Sequence, residues 1–198
     1  MGGSFDPVHS AHVDLATSAL SHLQLDQVRW IPVGQAWQKA RQLAAPAHRA
    51  AMVQAAIAHE PRFVLDRIEQ DRAGPSFTVD TVRALAQVHP EVHDWVLIIG
   101  LDQYLNLPTW HGFDELLQRV TLAVAVRGDD WPATPEALRT RPHRLVRLPM
   151  RPHDVSSTDI RQRLAQGQSP DSLVPTLLPG GVARYIANHQ LYASGATR

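Results

Sequence analysis

Apolar residues recur at helical spacing through Leu15, Ala16, Ala19, Leu20 and Leu23, which predicts a helix over Ser10–His22. A short apolar run follows at Val28–Pro32 and reads as a strand closed by proline. Further strands are predicted at 63–66, Trp95–Gly100, 121–126 and 145–148. The run Trp95–Gly100 is short, continuous and apolar, the pattern of a strand buried on both faces. Helices are predicted over 46–59, with Ala50, Val53, Ala56 and Ile57 on one face, and from Ser76 or Thr78 as cap through Leu85. Others follow over Phe113–Arg119, from the N-cap Ser156 to Gln166, and over 182–190, with Leu191 and Tyr192 packing after it. Residues 128–143, rich in Pro, Asp and Arg, read as a surface excursion with a short helix near Glu136. Strand, helix and strand in alternation predict an α/β fold, a Rossmann-like parallel sheet of about five strands flanked by helices. No linker or internal repeat divides the chain, so residues 1–198 are expected to form a single domain.

Charge and composition narrow the field. Lys plus Arg and Asp plus Glu both total 19, which argues against a general nucleic-acid or anionic-membrane binder. The absence of cysteine excludes disulfides, thiolate catalysis and zinc–cysteine sites. No apolar run approaches the roughly 20 residues that span a bilayer, and the start of the chain lacks a basic segment followed by an apolar one. The expectation is a cytoplasmic protein, monomeric or a small homo-oligomer.

The chemistry concentrates at Gly2-Gly3-Ser4-Phe5-Asp6-Pro7-Val8-His9-Ser10-Ala11-His12. Two glycines permit a sharp turn and close approach of a ligand. Asp6-Pro7 leads into the first helix, so His9 and His12 fall at its first turn. Helix N-termini present N–H groups and positive potential, a natural seat for phosphate. Imidazoles three residues apart add donors on the same side, although a His-x-x-His pair can equally ligate a metal. A second helix start, Ser156-Ser157-Thr158-Asp159-Ile160-Arg161, places hydroxyls and N–H groups together, with Asp159 in the capping-box position and Arg161 one turn in. No G-x-x-x-x-G-K-[ST] or G-x-G-x-x-G string is present, so ordinary NTPase and dehydrogenase readings lack their motif. These residues alone support an α/β phosphate-binding enzyme and no particular reaction.

The eleven-residue opening resembles the entry motif of the nucleotidyltransferase superfamily, usually written HxGH, with Ala11 in place of the glycine. Further strings resemble the bacterial nicotinate-nucleotide adenylyltransferases: Gly74-Pro75-Ser76-Phe77-Thr78, Gly100-Leu101-Asp102, Pro108-Thr109-Trp110 and Ser156 to Arg161. The resemblance runs in the family's order from residue 2 to residue 161, and the Val182 to Ile186 stretch fits as well. It implies transfer of the adenylyl group of ATP to nicotinate mononucleotide with Mg²⁺, giving nicotinate adenine dinucleotide and pyrophosphate in NAD biosynthesis. By that resemblance His9, His12, Lys39 and Arg161 are the catalytic candidates. ATP would also meet Gly2, Gly3, Ser4, Phe5, Gly100, Asp102, Ser156, Ser157 and Thr158. The mononucleotide would meet Ser76, Phe77, Thr78, Asp102, Trp110 and Arg127, with Trp110 stacking on the pyridine ring. Gln38 stands where the family often has a histidine before its basic residue.

Two rival readings stand beside this one. A pantetheine-phosphate adenylyltransferase shares the first motif, but it is typically shorter and lacks the two pyridine-nucleotide strings. A nucleotide-binding protein without catalysis, or a metal-using hydrolase built on His9 and His12, would be separated by its products. One expectation concerns architecture. A glycine-rich phosphate turn follows a strand in open α/β sheets, yet only Met1 precedes Gly2. The first strand is therefore expected to be missing, with the natural protein starting several residues earlier and the residues around Gly2 poorly anchored.

Overall fold

The computed structural model describes residues 1–35, 43–127, 131–150 and 154–194. Its strands form two parallel three-stranded sheets in place of the single sheet expected. The first sheet is β1 (Gly2–Gly3), β2 (Val28–Pro32) and β3 (Phe63–Leu65), in that order. The second is β4 (Trp95–Gly100), β5 (Val120–Arg127) and β6 (Arg144–Met150). Helices α1 (Ser10–His22), α2 (Pro46–Ile57) and α3 (Thr78–Val88) alternate with the early strands. The short α4 (Leu101–Asn106) leaves β4 directly, which the apolar pattern did not signal. Next come α5 (Phe113–Arg119), α6 (Glu136–Arg139), α7 (Ser157–Ala165) and α8 (Gly180–Asn188).

The expectation that the residues around Gly2 are poorly anchored is corrected, whereas the first strand is only two residues long and the sheet is interrupted between β1 and β4. Gly2 and Gly3 pair with Ile31 and Pro32 of β2. The Met1 carbonyl accepts from Ile31 N–H at 3.0 Å, and the Gly3 carbonyl accepts from Val33 N–H at 2.9 Å. Met1 is buried and its amino group donates to the Arg29 carbonyl, so this segment is anchored. The two glycines are extended, and the change of direction comes later. Phe5 adopts a left-handed φ of 46°, uncommon for an aromatic residue. Its buried ring holds it there, packed edge-on against His12 at 5.2 Å and tilted against Trp30 at 5.5 Å.

The second sheet shows why its strands read as unbroken apolar runs. Alternate side chains leave opposite faces of a strand. Ile98, Ala123 and Leu148 join the core shared with β2, α1, α2, α7 and α8. Leu97, Ile99, Leu122 and Val124 join a second core with α3, α5 and α6. Both faces are covered, as parallel sheets require. The first core takes residues from both sheets. Among the described residues, no helix is long and apolar enough to cross a membrane.

Candidate functional site

The two phosphate-type motifs, about 150 positions apart in sequence, meet in space. Ser157 Oγ donates to the Pro7 carbonyl at 2.9 Å. Arg161 Nη1 donates to the Asp6 carbonyl at 2.6 Å, and its Nη2 donates to Thr158 Oγ1 at 3.1 Å. The start of α7 is thus fastened to the turn that delivers the start of α1. Ser156 caps α7 as expected, its Oγ accepting from Asp159 N–H at 3.1 Å. The capping box stays half-formed, because the Asp159 carboxylate pairs with Arg163 at 2.8 Å.

At α1 the N-cap is His9, with extended backbone dihedrals. Its N–H donates to His12 Nδ1 at 3.2 Å, and the two rings lie 3.7 Å apart, tilted by 31°. A histidine has taken the part that Glu or Gln plays in an ordinary capping box. His9 is buried and His12 half-buried.

Asp6, fully buried, is the joint beneath this turn. Its Oδ1 accepts from Tyr192 O–H at 2.7 Å and from Ala44 N–H at 3.3 Å. Arg49, only 1 % exposed, donates to the carbonyls of Ala44 and Ser4. Burial pushes the Arg49 guanidinium below its ordinary range, and the Asp6 charge opposes that shift. Sequence reasoning read Asp6 only as a turn residue and missed Arg49 and Tyr192 as parts of the site. An arginine on the apolar face of α2, beside Ala50 and Val53, was the available signal.

On the opposite side a cleft of about 960 Å³ opens between the sheets. Gly2, Gly3 and Ser4 line it together with Ser76, Phe77, Thr78 and Trp110. The edge of β4 away from β5 lines it too. Phe77, rather than Ser76 or Thr78, is the N-cap of α3, and no side chain caps this helix. The first-turn N–H groups of an uncapped helix need other partners. The Phe77 ring packs on His111, with centroids 4.4 Å apart. Trp110 is half-buried against the second core, and its indole N–H has no hydrogen-bond partner among the described residues.

Gly100 ends β4 and caps α4, and a Cβ there would stand 2.7 Å from Asp102 Oδ1. Asp102 is exposed at that C-terminal strand end, accepting from Gln103 Nε2 at 2.9 Å. The ring of Phe5 belongs to the core, so only its backbone is offered to a ligand. Lys39, with Gln38 and Arg41, lies outside the described residues. Arg127 is the last residue of β5, in register with Met150, and its side chain lies outside the described atoms. Among the described residues, no three His, Cys, Asp or Glu side chains gather as a metal site.

Two helix starts docked on one turn, at the carboxyl ends of parallel strands, define a nucleotide-binding α/β protein. The cytidylyltransferase-like family model matches residues 1–163. A protein of Methylibium petroleiphilum named "probable nicotinate-nucleotide adenylyltransferase" is 53% identical over 192 residues, covering 97% of this chain and 90% of that protein. A namesake from Bordetella avium is 45% identical, covering 97% of this chain and 95% of that protein. The chain belongs to the cytidylyltransferase-like family, in its nicotinate-nucleotide adenylyltransferase group. Its fold resembles that of the Plasmodium falciparum nicotinic acid mononucleotide adenylyltransferase complexed with NaAD. That likeness has a TM-score of 0.75 at 19% identity, and covers 96% of this chain and 94% of that one.

Proposed function

We propose that the protein transfers the adenylyl group of ATP to nicotinate mononucleotide, forming nicotinate adenine dinucleotide and pyrophosphate in NAD biosynthesis. The observation that carries this reading is the docking of Ser157 and Arg161 onto the backbone of Pro7 and Asp6. It brings two helix N-termini, with two imidazoles and a guanidinium, to one turn, a set suited to a triphosphate. The cleft beside it offers Phe77, Trp110 and the uncapped start of α3 to a pyridine ring and an anionic group.

A phosphate oxygen of the mononucleotide attacks the α-phosphorus of ATP, and the bond from that phosphorus to the bridging oxygen breaks. The electron pair leaves with pyrophosphate. The attacking phosphate is already an anion, so no general base is needed. Catalysis then rests on in-line positioning and on stabilising charge in the transition state. His12 and His9 serve the transferring and leaving phosphates, while Lys39, Ser157, Thr158 and Arg161 hold the β- and γ-phosphates. Gly2, Gly3, Ser4 and the backbone at Phe5 admit ATP closely. Gly100 and Asp102 face the ribose, and Ser76, Thr78 and Arg127 serve the mononucleotide. Mg²⁺ would enter with ATP as part of the substrate and neutralise phosphate charge, and Asp102 is the carboxylate that would help to hold it.

Incubation of the purified protein with ATP, Mg²⁺ and either nicotinate or nicotinamide mononucleotide tests the proposal. Dinucleotide and pyrophosphate in equal amounts are expected, formed faster with nicotinate. Phosphate or AMP alone would mark a hydrolase, and binding without turnover a non-catalytic protein. Turnover of pantetheine phosphate in preference to either mononucleotide would favour the other adenylyltransferase.

A further inference from the structure

Glu69 is a buried carboxylate that adenylyl transfer as described does not use. It is 8% exposed and lines the cleft. Thr81 Oγ1 donates to its Oε1 at 2.8 Å. The Arg72 guanidinium supplies nearby positive charge, and Ser76 lines the same cleft. Arg72 Nη2 reaches Thr81 Oγ1 at 3.2 Å. The carbonyl of Glu69 lies 2.0 Å from where a Cβ on Gly34 would stand, so only glycine allows the two backbones to approach this closely. Beside them Gln35 and Pro75 form an isolated parallel bridge, and Ser76 N–H donates to the Gln35 carbonyl at 3.1 Å.

Three segments therefore converge on Glu69: the exit from β2 against its backbone carbonyl, the turn before α3 and the first turns of α3, whose Thr81 reaches its carboxylate. A buried carboxylate persists only where donors replace its lost water. Here the donor is Thr81 on α3, the helix whose start presents Ser76, Phe77 and Thr78 to the cleft. We infer that Glu69 is a positioning residue for the mononucleotide, fixing the start of α3 against the end of β2 so that both close on one ligand. This rests on the mononucleotide site proposed above. A purely structural Glu69 would affect both substrates alike, whereas a positioning one acts on the side it holds.

The test is steady-state kinetics of Glu69→Gln, with ATP and nicotinate mononucleotide varied separately. The KM for the mononucleotide is expected to rise about tenfold, with kcat and the KM for ATP within about twofold, the scale of one lost support. Thr81→Val, which deletes the hydroxyl donor, should reproduce this split, and Thr81→Ser, which keeps it, should not. If Glu69→Gln fails to fold, the Thr81 pair decides by the same criterion. Unchanged mononucleotide KM in Glu69→Gln and Thr81→Val, or equal losses for both substrates, overturns the inference while leaving the reaction standing. Wild-type protein that makes no dinucleotide overturns the reaction and the inference together.

Discussion

The backbone N–H of His9 donates to Nδ1 of His12 at 3.2 Å. Because Nδ1 accepts, the neutral ring of His12 carries its proton on Nε2. The local geometry of the helix start thus selects the tautomer, and Nε2–H is the donor a phosphate oxygen needs.

His12→Ala is expected to lower turnover by ~10²–10³, as for loss of one preorganised donor to developing negative charge. It also removes a cap acceptor, which costs about 1 kcal/mol of stability. Circular dichroism should report an intact fold. Near-normal turnover in a folded variant would remove His12 from the mechanism.

Trp110→Ala should weaken mononucleotide binding by roughly 1–3 kcal/mol, the scale of a lost stacking platform, and leave ATP binding little changed. Trp110→Phe should retain most of the affinity. Titration with each substrate separately makes the comparison, and equal loss for both would place Trp110 in the core alone.

Tyr192→Phe deletes the O–H that donates to Asp6 at 2.7 Å. Removing one donor from a buried carboxylate costs on the order of 1–3 kcal/mol. A lowered unfolding temperature is expected, together with a higher KM for ATP, since Asp6 also supports the turn through which Arg161 docks. An unfolding curve and KM identical to wild type would refute the coupling.

Burial raises the Glu69 pKa above the ordinary 4.5, opposed by the hydrogen bond from Thr81 and the charge of Arg72. The unfolded chain therefore releases this proton at lower pH than the folded one. Wild-type stability, measured against Glu69→Gln, should fall as pH rises from about 4.5 through the raised folded value, then level off. Denaturant titrations of both proteins across pH 4 to 8 would show it, and a constant difference would count against a raised pKa.

Local pattern carried much of this protein. Both helix starts and the strand Trp95–Gly100 follow from short-range periodicity and capping chemistry, and appear where the residues put them. The resemblance supplied the reaction, because the relevant strings are themselves short and contiguous. Tertiary structure decided what those strings could not. Gly2 and Gly3 read as a turn, yet β2 offers them hydrogen-bond partners and makes them a strand, displacing the turn to Phe5. Ser76 and Thr78 both read as caps, yet Phe77 takes the N-cap and neither side chain caps the helix. Glu69 itself stands among charged neighbours in Arg67-Ile68-Glu69-Gln70-Asp71-Arg72, a run that reads as solvated surface. Nothing within that run records its burial, because the donor that makes it tolerable, Thr81, comes from the later helix α3. Likewise no local signal pairs Asp6 with Tyr192, 186 positions away. Periodicity and capping are set by neighbours within a turn or two. The partners of a buried charge are set by which distant segments the core packs around it.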